Sequence, residues 1–506
     1  MKSTITKYIL GAALLANLCA CEKTSLLQKD PAAVYDASPK LLLTGLLLNV
    51  GDKPWTSVQR HNQYATQNNS YYYGQPYDWS TADEGFSAYD RLRDINQLNM
   101  EVAKSPDNYK GYPELGKFLA AYFMVRNTEM YGDVPMTDAI KGRSEGNFTP
   151  KYDDQKEVYR TVLQMLEDVN TALTPLVTAN VKVDGDFYYK GDLAKWQKLV
   201  NSFRLRVLVS LSKRADDNAD LKIKEQFATI VGNPAKYPLI LSNADNFQLL
   251  FNANARDNNY PLWPADGVVI KNDLNNNLAA TIVDILKRTE DPRLFVMALP
   301  TDSAKKSGDA GYATKFTSFR GGDVGMIMAD LKSMASAGKF SQLNYDFWEA
   351  TPSGGPCIQL GAAEVNFSIA EAINLGWISG DAGAYYVAGI KANMAFYNVA
   401  GAAQDAFLAN PGNVYAGNTA AGLTQILEQK YVAFFQNSGR QAFYNNRRTG
   451  IPKFSIGPAN KNAQKIPVRW KYPTVEYTVN ETNIRAAIQK QYNGSDSQND
   501  VMWLIK

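Results

Sequence analysis

Leu115-Gly116-Lys117-Phe118-Leu119-Ala120-Ala121-Tyr122-Phe123-Met124-Val125-Arg126-Asn127-Thr128-Glu129-Met130 is the stretch on which the fold turns. Leu115, Phe118, Leu119, Tyr122 and Val125 recur at three- and four-residue spacing, the period of an α-helix that buries a face. Gly132 and Pro135 follow and stop it, because glycine takes the left-handed backbone of a helix end and proline cannot continue a helix. Residues 88–102 carry the same spacing just upstream, and small residues beside aromatics, as in Ala120-Ala121-Tyr122, suit close antiparallel packing. The two stretches read as a helix pair.

The pattern repeats outward. Residues 158–176 and 193–211 form a second pair across the turn-rich Asp184-Gly185-Asp186, and 364–375 and 382–399 form a third across Ser379-Gly380-Asp381. Residues 424–435 begin a fourth. The class is therefore mainly α, with about four tetratricopeptide-like helix pairs near 84–131, 154–214, 361–400 and 419–490, although no strict consensus recurs. Residues 215–355 interrupt the array with an Asn-, Gly- and Asp-rich insertion holding one clear helix, at 274–288. Insertions of this kind gather on one face of a helical array and carry binding. Residues 55–81 are a second loop-rich stretch, and 54–506 read as a single body.

Lys2 and Lys7 precede an apolar run over 8–16 and then Asn17-Leu18-Cys19-Ala20-Cys21. This is the pattern of a signal peptide, here 1–20, ending in a lipobox-like motif. Cys21 is expected to carry the lipid, since its thiolate can take a diacylglycerol and two acyl chains give stable anchoring. Residues 21–53 then form a tether with turns at Asp30-Pro31 and Ser38-Pro39, leading into a first helix near 41–50. With Cys19 and Cys21 accounted for, Cys357 is the one thiol left, so an intrachain disulfide is excluded. No later apolar stretch reaches the length of a membrane span. The formal charge of +3 falls to +1 once Lys2 and Lys7 leave, and no basic stripe exists, which excludes nucleic acid as a partner.

Chemistry-bearing constellations are thin. A single histidine, His61, excludes zinc sites built on two or three histidines and leaves one possible base for a serine triad, with no G-x-S-x-G elbow to serve it. His61 lies in the polar run His61-Asn62-Gln63-Tyr64 and is expected to be exposed or at a ligand's edge. Fifty acidic residues leave a paired-carboxylate glycosidase open by counting alone. Asp273-Leu274-Asn275-Asn276-Asn277 starts like a calcium loop, but Leu278 stands where glycine is needed and Asp284 where glutamate is, so helix capping by Asn272 or Asp273 fits better. Gly321-Gly322-Asp323-Val324-Gly325 lacks the lysine of a phosphate loop and reads as a turn. No catalytic residue, metal or cofactor is expected.

Aromatic residues carry more. Tyr122, Phe123, Phe367, Phe396 and Phe434 sit at helical spacing and read as core, whereas others lie among Gly, Pro and amides. Those stretches are Tyr71-Tyr72-Tyr73-Gly74-Gln75-Pro76-Tyr77-Asp78-Trp79, Asn258-Asn259-Tyr260-Pro261-Leu262-Trp263 and Tyr345-Asp346-Phe347-Trp348. A sugar ring presents an apolar C–H face and a hydroxyl rim, so rings edged by Asn, Gln and Asp meet both. Tyr72, Tyr73, Tyr77, Trp79, Tyr260, Trp263, Phe347 and Trp348 are the candidate ligand-binding residues. Amide-rich aromatic loops also suit an extended peptide. Three ring contacts supply up to ~4.5 kcal/mol, near millimolar affinity, so retention would need closure or a multivalent ligand.

The ordered set of Tyr131-Gly132-Asp133-Val134-Pro135, Lys195-Trp196 with Asn201-Ser202 and Arg204-Leu205-Arg206, Asp291-Pro292-Arg293, Glu364 with Ala370-Glu371-Ala372 and Gly376, Gln429-Lys430 with Arg447-Arg448-Thr449-Gly450, and Arg469 with Tyr472-Pro473 and Glu476 resembles the stations of SusD/RagB-like outer-membrane nutrient-binding lipoproteins. The resemblance spans nearly the whole chain after the leader. It implies four tetratricopeptide-like pairs in a right-handed superhelix, with irregular ligand-binding loops opposite. It also implies a SusC-like TonB-dependent transporter as partner, over which the lipoprotein sits as a hinged lid, and capture of glycans without cleavage. Glu371 with Arg447 or Arg448 is expected to be a buried, helix-fixing ion pair. One departure is that Glu22 is followed by Lys23, where surface-exposed relatives often carry further acidic residues. The expected place is the outer membrane, facing outward. Oligopeptide capture on the same scaffold and a periplasmic protein-binding scaffold are the alternatives.

Overall fold

The computed structural model describes residues 37–54, 57–68, 77, 79, 85–264 and 277–506. The leader, Cys21, Tyr72 and Tyr73 lie outside the described residues. Numbering the described helices of eight residues or more in chain order, α1 is Pro39–Leu47, α2 Ser87–Ala103, α3 Tyr112–Tyr131, α4 Gln155–Thr178 and α5 Leu193–Ser210. Each packs on the next, α1 on α2, α2 on α3, α3 on α4 and α4 on α5. α3 contains the stretch quoted first and also touches α1 and α5, so it is buried nearly all round, Asn127, Thr128 and Glu129 included. Gly132 ends it at φ +96°, its N–H donating to the Thr128 carbonyl.

The turn between α4 and α5 is tied by Asp186, whose carboxylate accepts from the backbone N–H groups of Tyr188, Tyr189 and Gly191 and from the Trp196 indole at 2.8 Å. Asp192 caps α5 by accepting from the Ala194 N–H.

Three helices of that length lie in the insertion: α6 Ile223–Gly232, α7 Ala280–Arg288 and α8 Met328–Ser336. The expectation of one clear helix there, at 274–288, is corrected: α7 begins only at Ala280, with Ala279 at its cap and Leu278 and Ala279 held in bridges. α6 and α8 stand beside it, burying three and two side chains against four in α7 and so giving a weaker periodic signal. Strands β1 Phe247–Leu249 and β2 Cys357–Leu360 pair antiparallel, Phe247 opposite Leu360 and Leu249 opposite Cys357. The array resumes with α9 Ala362–Asn374, α10 Ala382–Phe396, α11 Ala402–Ala409, α12 Ala420–Ala433, α13 Gln441–Thr449 and α14 Glu481–Tyr492. α9 packs on α10 and α12, and also on α5, which joins the two helical blocks across the insertion. The whole is mainly helical and tetratricopeptide-like.

A buried charged seam holds that junction. Arg206 on α5 donates from Nε and Nη2 to the two oxygens of Glu364 on α9, each at 2.6 Å, and from Nη2 to the Gln359 carbonyl. Such bidentate pairs set position as well as energy. Glu371 on α9 meets Arg448 at 2.6 Å and Lys430 at 3.4 Å, as expected for a helix-fixing pair. Burial works to raise the Glu371 carboxyl, but the two cations outweigh it and hold it below its ordinary value. Arg447 goes elsewhere, to the Val468 carbonyl and over the Tyr444 ring. Arg293, fully buried, pairs with Asp291 and reaches Asn393 and Gln429. On α3, burial pushes the Glu129 carboxyl up to about 7, with Arg447 and Arg206 opposing only in part.

Candidate ligand-binding site

The two loop-rich stretches meet. The Thr66 N–H donates to the Asn277 carbonyl at 2.8 Å and the Ala279 N–H to the Tyr64 carbonyl at 2.9 Å, while Asn68 and Asn277 join side chains at 2.6 Å. Ala65 and Leu278 form an antiparallel bridge, and Ala279 a parallel one to Gly322. The glycine run 321–325, read as a turn, serves this contact: a Cβ at Gly321 would sit 2.4 Å from the Ala279 backbone, so only glycine lets the two segments come so close.

Below it, Gln63 accepts from Thr281 Oγ1 and the Ser455 N–H, while the Tyr77 hydroxyl bonds the Ser455 carbonyl and the Gln63 amide. Tyr431 donates to the backbone of Asn62 and Gln63. Asn62, Gln63, Thr66, Asn68 and Asn277 are all buried with their polar groups engaged, so this is a stiff polar base. In sequence, Asn68 and Asn277 border the stretches 69–76 and 265–276.

The predicted ligand residues divide. Trp79 is only 1% exposed, stacked on Trp470 with centroids 4.6 Å apart and flanked by His61 and Phe443. Its ring is core in this structure and not an open platform. His61 is corrected likewise: it is buried between the two tryptophans, and burial, with Arg440 and Arg60 nearby, holds its pKa well below the ordinary value and the ring neutral at pH 7. Tyr77 is buried, with burial raising its hydroxyl pKa.

The two stretches within the insertion come together through Tyr260 and Trp348, 6.4 Å apart and near parallel. Both are buried. Tyr260 packs on Phe251, and Trp348 on Phe396, Tyr397 and Phe435, with its indole donating to the Met297 carbonyl. These two rings anchor the insertion to the helical array. Trp263 and Phe347 beside them are half-buried and keep an open face.

Next to this aromatic knot lies a cavity of about 280 Å³ lined by Asp302, Lys305, Tyr312, Gln342 and Tyr345, with Leu299 and Pro300 behind. Tyr345 shares the short helix Tyr345–Trp348 with the core ring Trp348. Two tyrosines with an acid, a cation and an amide can take both faces of a sugar: rings for the C–H side, both donors and acceptors for hydroxyls. Of these residues only Tyr345 belongs to an aromatic-rich stretch, and the others carry no local signal, since 302, 312 and 342 converge only through the fold. Among the described residues no three His, Cys, Asp or Glu side chains converge to hold a metal, and no described helix is long and apolar enough to cross a membrane.

Residues 31–473 match the model of a SusD-like family described as starch-binding and associating with the outer membrane. A solved Bacteroides vulgatus outer-membrane protein, described as involved in nutrient binding, is 30% identical with a TM-score of 0.82, over 93% of this chain and 100% of that one. A SusD homologue from Bacteroides fragilis is 31% identical with a TM-score of 0.83, over the same shares. A chitin-binding SusD homologue from Flavobacterium johnsoniae shares the fold at 19% identity, with a TM-score of 0.70 over 92% of this chain and 98% of that one. Among curated proteins no match is found.

Proposed function

The chain belongs to the SusD-like family, outer-membrane-associated binding proteins, and from that premise we propose that it captures oligosaccharides and hands them intact to a TonB-dependent transporter. Anchoring through a lipid on Cys21, outward orientation and a SusC-like barrel partner belong to the same proposal. The observation that carries it is the junction at Asn68 and Asn277: a stiff polar base, next in sequence to the tyrosine run 71–73, joins the two loop-rich stretches beside a cavity that pairs tyrosines with hydroxyl-binding groups.

In this reading Tyr72, Tyr73, Trp263, Phe347, Tyr312 and Tyr345 touch ligand. Tyr77, Trp79, Tyr260 and Trp348 hold the ground beneath them. Catalysis is not part of the proposal, because its one histidine is buried and neutral and no paired acids line the cavity. A glycan array probed with the full mature chain tests it: enrichment of oligosaccharides, weakened by Trp263→Ala, is the expected result. Binding of extended peptides alone, or turnover of any glycan, overturns it. Protease shaving of intact cells tests orientation, and full protection would favour a periplasmic scaffold.

A further inference from the structure

A cleft of about 880 Å³ lies on the first helical block, between α2, the loop 135–150 and the short helix Glu476–Val479. It is some three times the volume of the insertion's cavity and within the size range of pockets that enclose an organic ligand. We propose that this cleft is a second, separate glycan-binding site, taking a neutral oligosaccharide of a few rings. The proposal rests on the carbohydrate reading above.

The loop that forms its outer wall is built, not slack. Val134 and Asp153 bridge its base, and the Asp153 carboxylate accepts from the Met136 and Thr137 N–H groups and the Thr137 hydroxyl. Tyr89 donates to the Pro135 carbonyl at 2.6 Å, and Asn480 to that of Pro150 at 2.8 Å. At the tip Phe148 is 77% exposed, its ring lying so close over Gly142 that a Cβ there would meet it at 2.9 Å. Val475 and Val479 across the cleft are 53% and 55% exposed. Ile140 lines the cleft at φ +62°, a left-handed backbone that costs a β-branched residue ~1–3 kcal/mol and is kept where the surroundings enforce it.

The lining chooses the ligand class. Asp90, Asp94 and Glu476 oppose an anion, and Arg93 and Arg143 oppose a cation. A lipid chain would need an apolar floor, but α2 presents a polar row that includes Asn96 and Gln97. A sugar hydroxyl both donates and accepts, so carboxylates, guanidinium groups and amides can all partner it, while Phe148, Phe86 and Tyr89 offer faces to the C–H side.

The test is calorimetric titration of the mature chain with maltotriose and with chitotriose, in wild type, Phe148→Ala, Phe148→Trp and Trp263→Ala. We expect two sites per chain for at least one trisaccharide. Phe148→Ala should weaken one of them roughly two- to twelvefold, Phe148→Trp should restore it, and Trp263→Ala should weaken the other. Because Phe148 is exposed, an unchanged melting curve confirms that the variant folds. A single site that Trp263→Ala removes and Phe148→Ala leaves untouched sinks the second site and spares the first. A single site lost with Phe148→Ala and indifferent to Trp263→Ala keeps the cleft and sinks the insertion as binding ground. Absence of both sites at millimolar sugar overturns both.

Discussion

The junction of α5 with α9 and the base beneath the loops are both buried and both polar, yet they are held in different ways. At the helix junction full charges meet: Arg206 with Glu364, and Glu371 with Arg448 and Lys430. At the loop base the partners are amides, hydroxyls and backbone, with Asn62, Gln63, Asn68, Asn277 and Ser455 exchanging neutral hydrogen bonds. A helix satisfies its own backbone groups along its length, so polar contact with a neighbouring helix falls to side chains, here charged ones. Irregular segments carry unpaired N–H and C=O groups that must be satisfied once buried, and amide side chains do that without the desolvation cost of an ion. Charge therefore locks the array, while amides and aromatic rings anchor what stands on it.

The largest effects test whether the rings at the loop base are ground or grip. Trp79→Ala should cost ~3–5 kcal/mol of stability, read as a fall in melting temperature, because it opens a cavity against Trp470, His61 and Phe443. An unchanged melting curve with lost glycan binding would make Trp79 a ligand platform after all.

Arg206→Ala should cost about 3–5 kcal/mol by leaving Glu364 buried without its partner, whereas Arg206→Met combined with Glu364→Leu should recover most of it. Failure of the double variant to recover would mean that the seam does more than set packing. Asn68→Ala, at the loop base, should cost only ~1–2 kcal/mol, since a neutral bond is lost.

Glu129 gives the junction a pH dependence. With a folded pKa of about 7 against 4.5 ordinarily, its contribution is fully present below about pH 4.5 and is lost as pH rises through 7. The loss sums to about 3 kcal/mol at neutral to alkaline pH. Chemical denaturation of wild type and Glu129→Gln at several pH values should show the variant gaining on the wild type across that window, and parallel curves would place the ionised carboxylate in a better-solvated site. Smallest in stability is Trp263→Ala, about 1 kcal/mol, with a roughly two- to twelvefold loss of glycan affinity as its main effect.

Much of the scaffold was legible beforehand. Residues 115–130 announce α3 through local spacing alone, and Gly132 announces its end. Arg448 with Glu371 could be expected as a buried pair, though not its third member Lys430. The site was less legible. Trp79 sits among Tyr, Gly and Pro in sequence, and that company suggested an exposed ring, but Trp470 and Phe443 arrive from the far end of the chain to enclose it. Tyr260 and Trp348 are enclosed in the same way. The cavity beside Tyr345 and the cleft beside Phe148 had no local signature, since their walls come from segments distant in sequence.

The sequence by itself determined the helical class, the breaks between helices, the single histidine and the aromatic stretches, because periodicity, capping and composition act over a few residues. Only the tertiary structure decided which aromatics are core and which face a hollow. Burial depends on what the rest of the chain brings alongside, and a tryptophan in a loop has the same appetite for apolar contact as one on a helix.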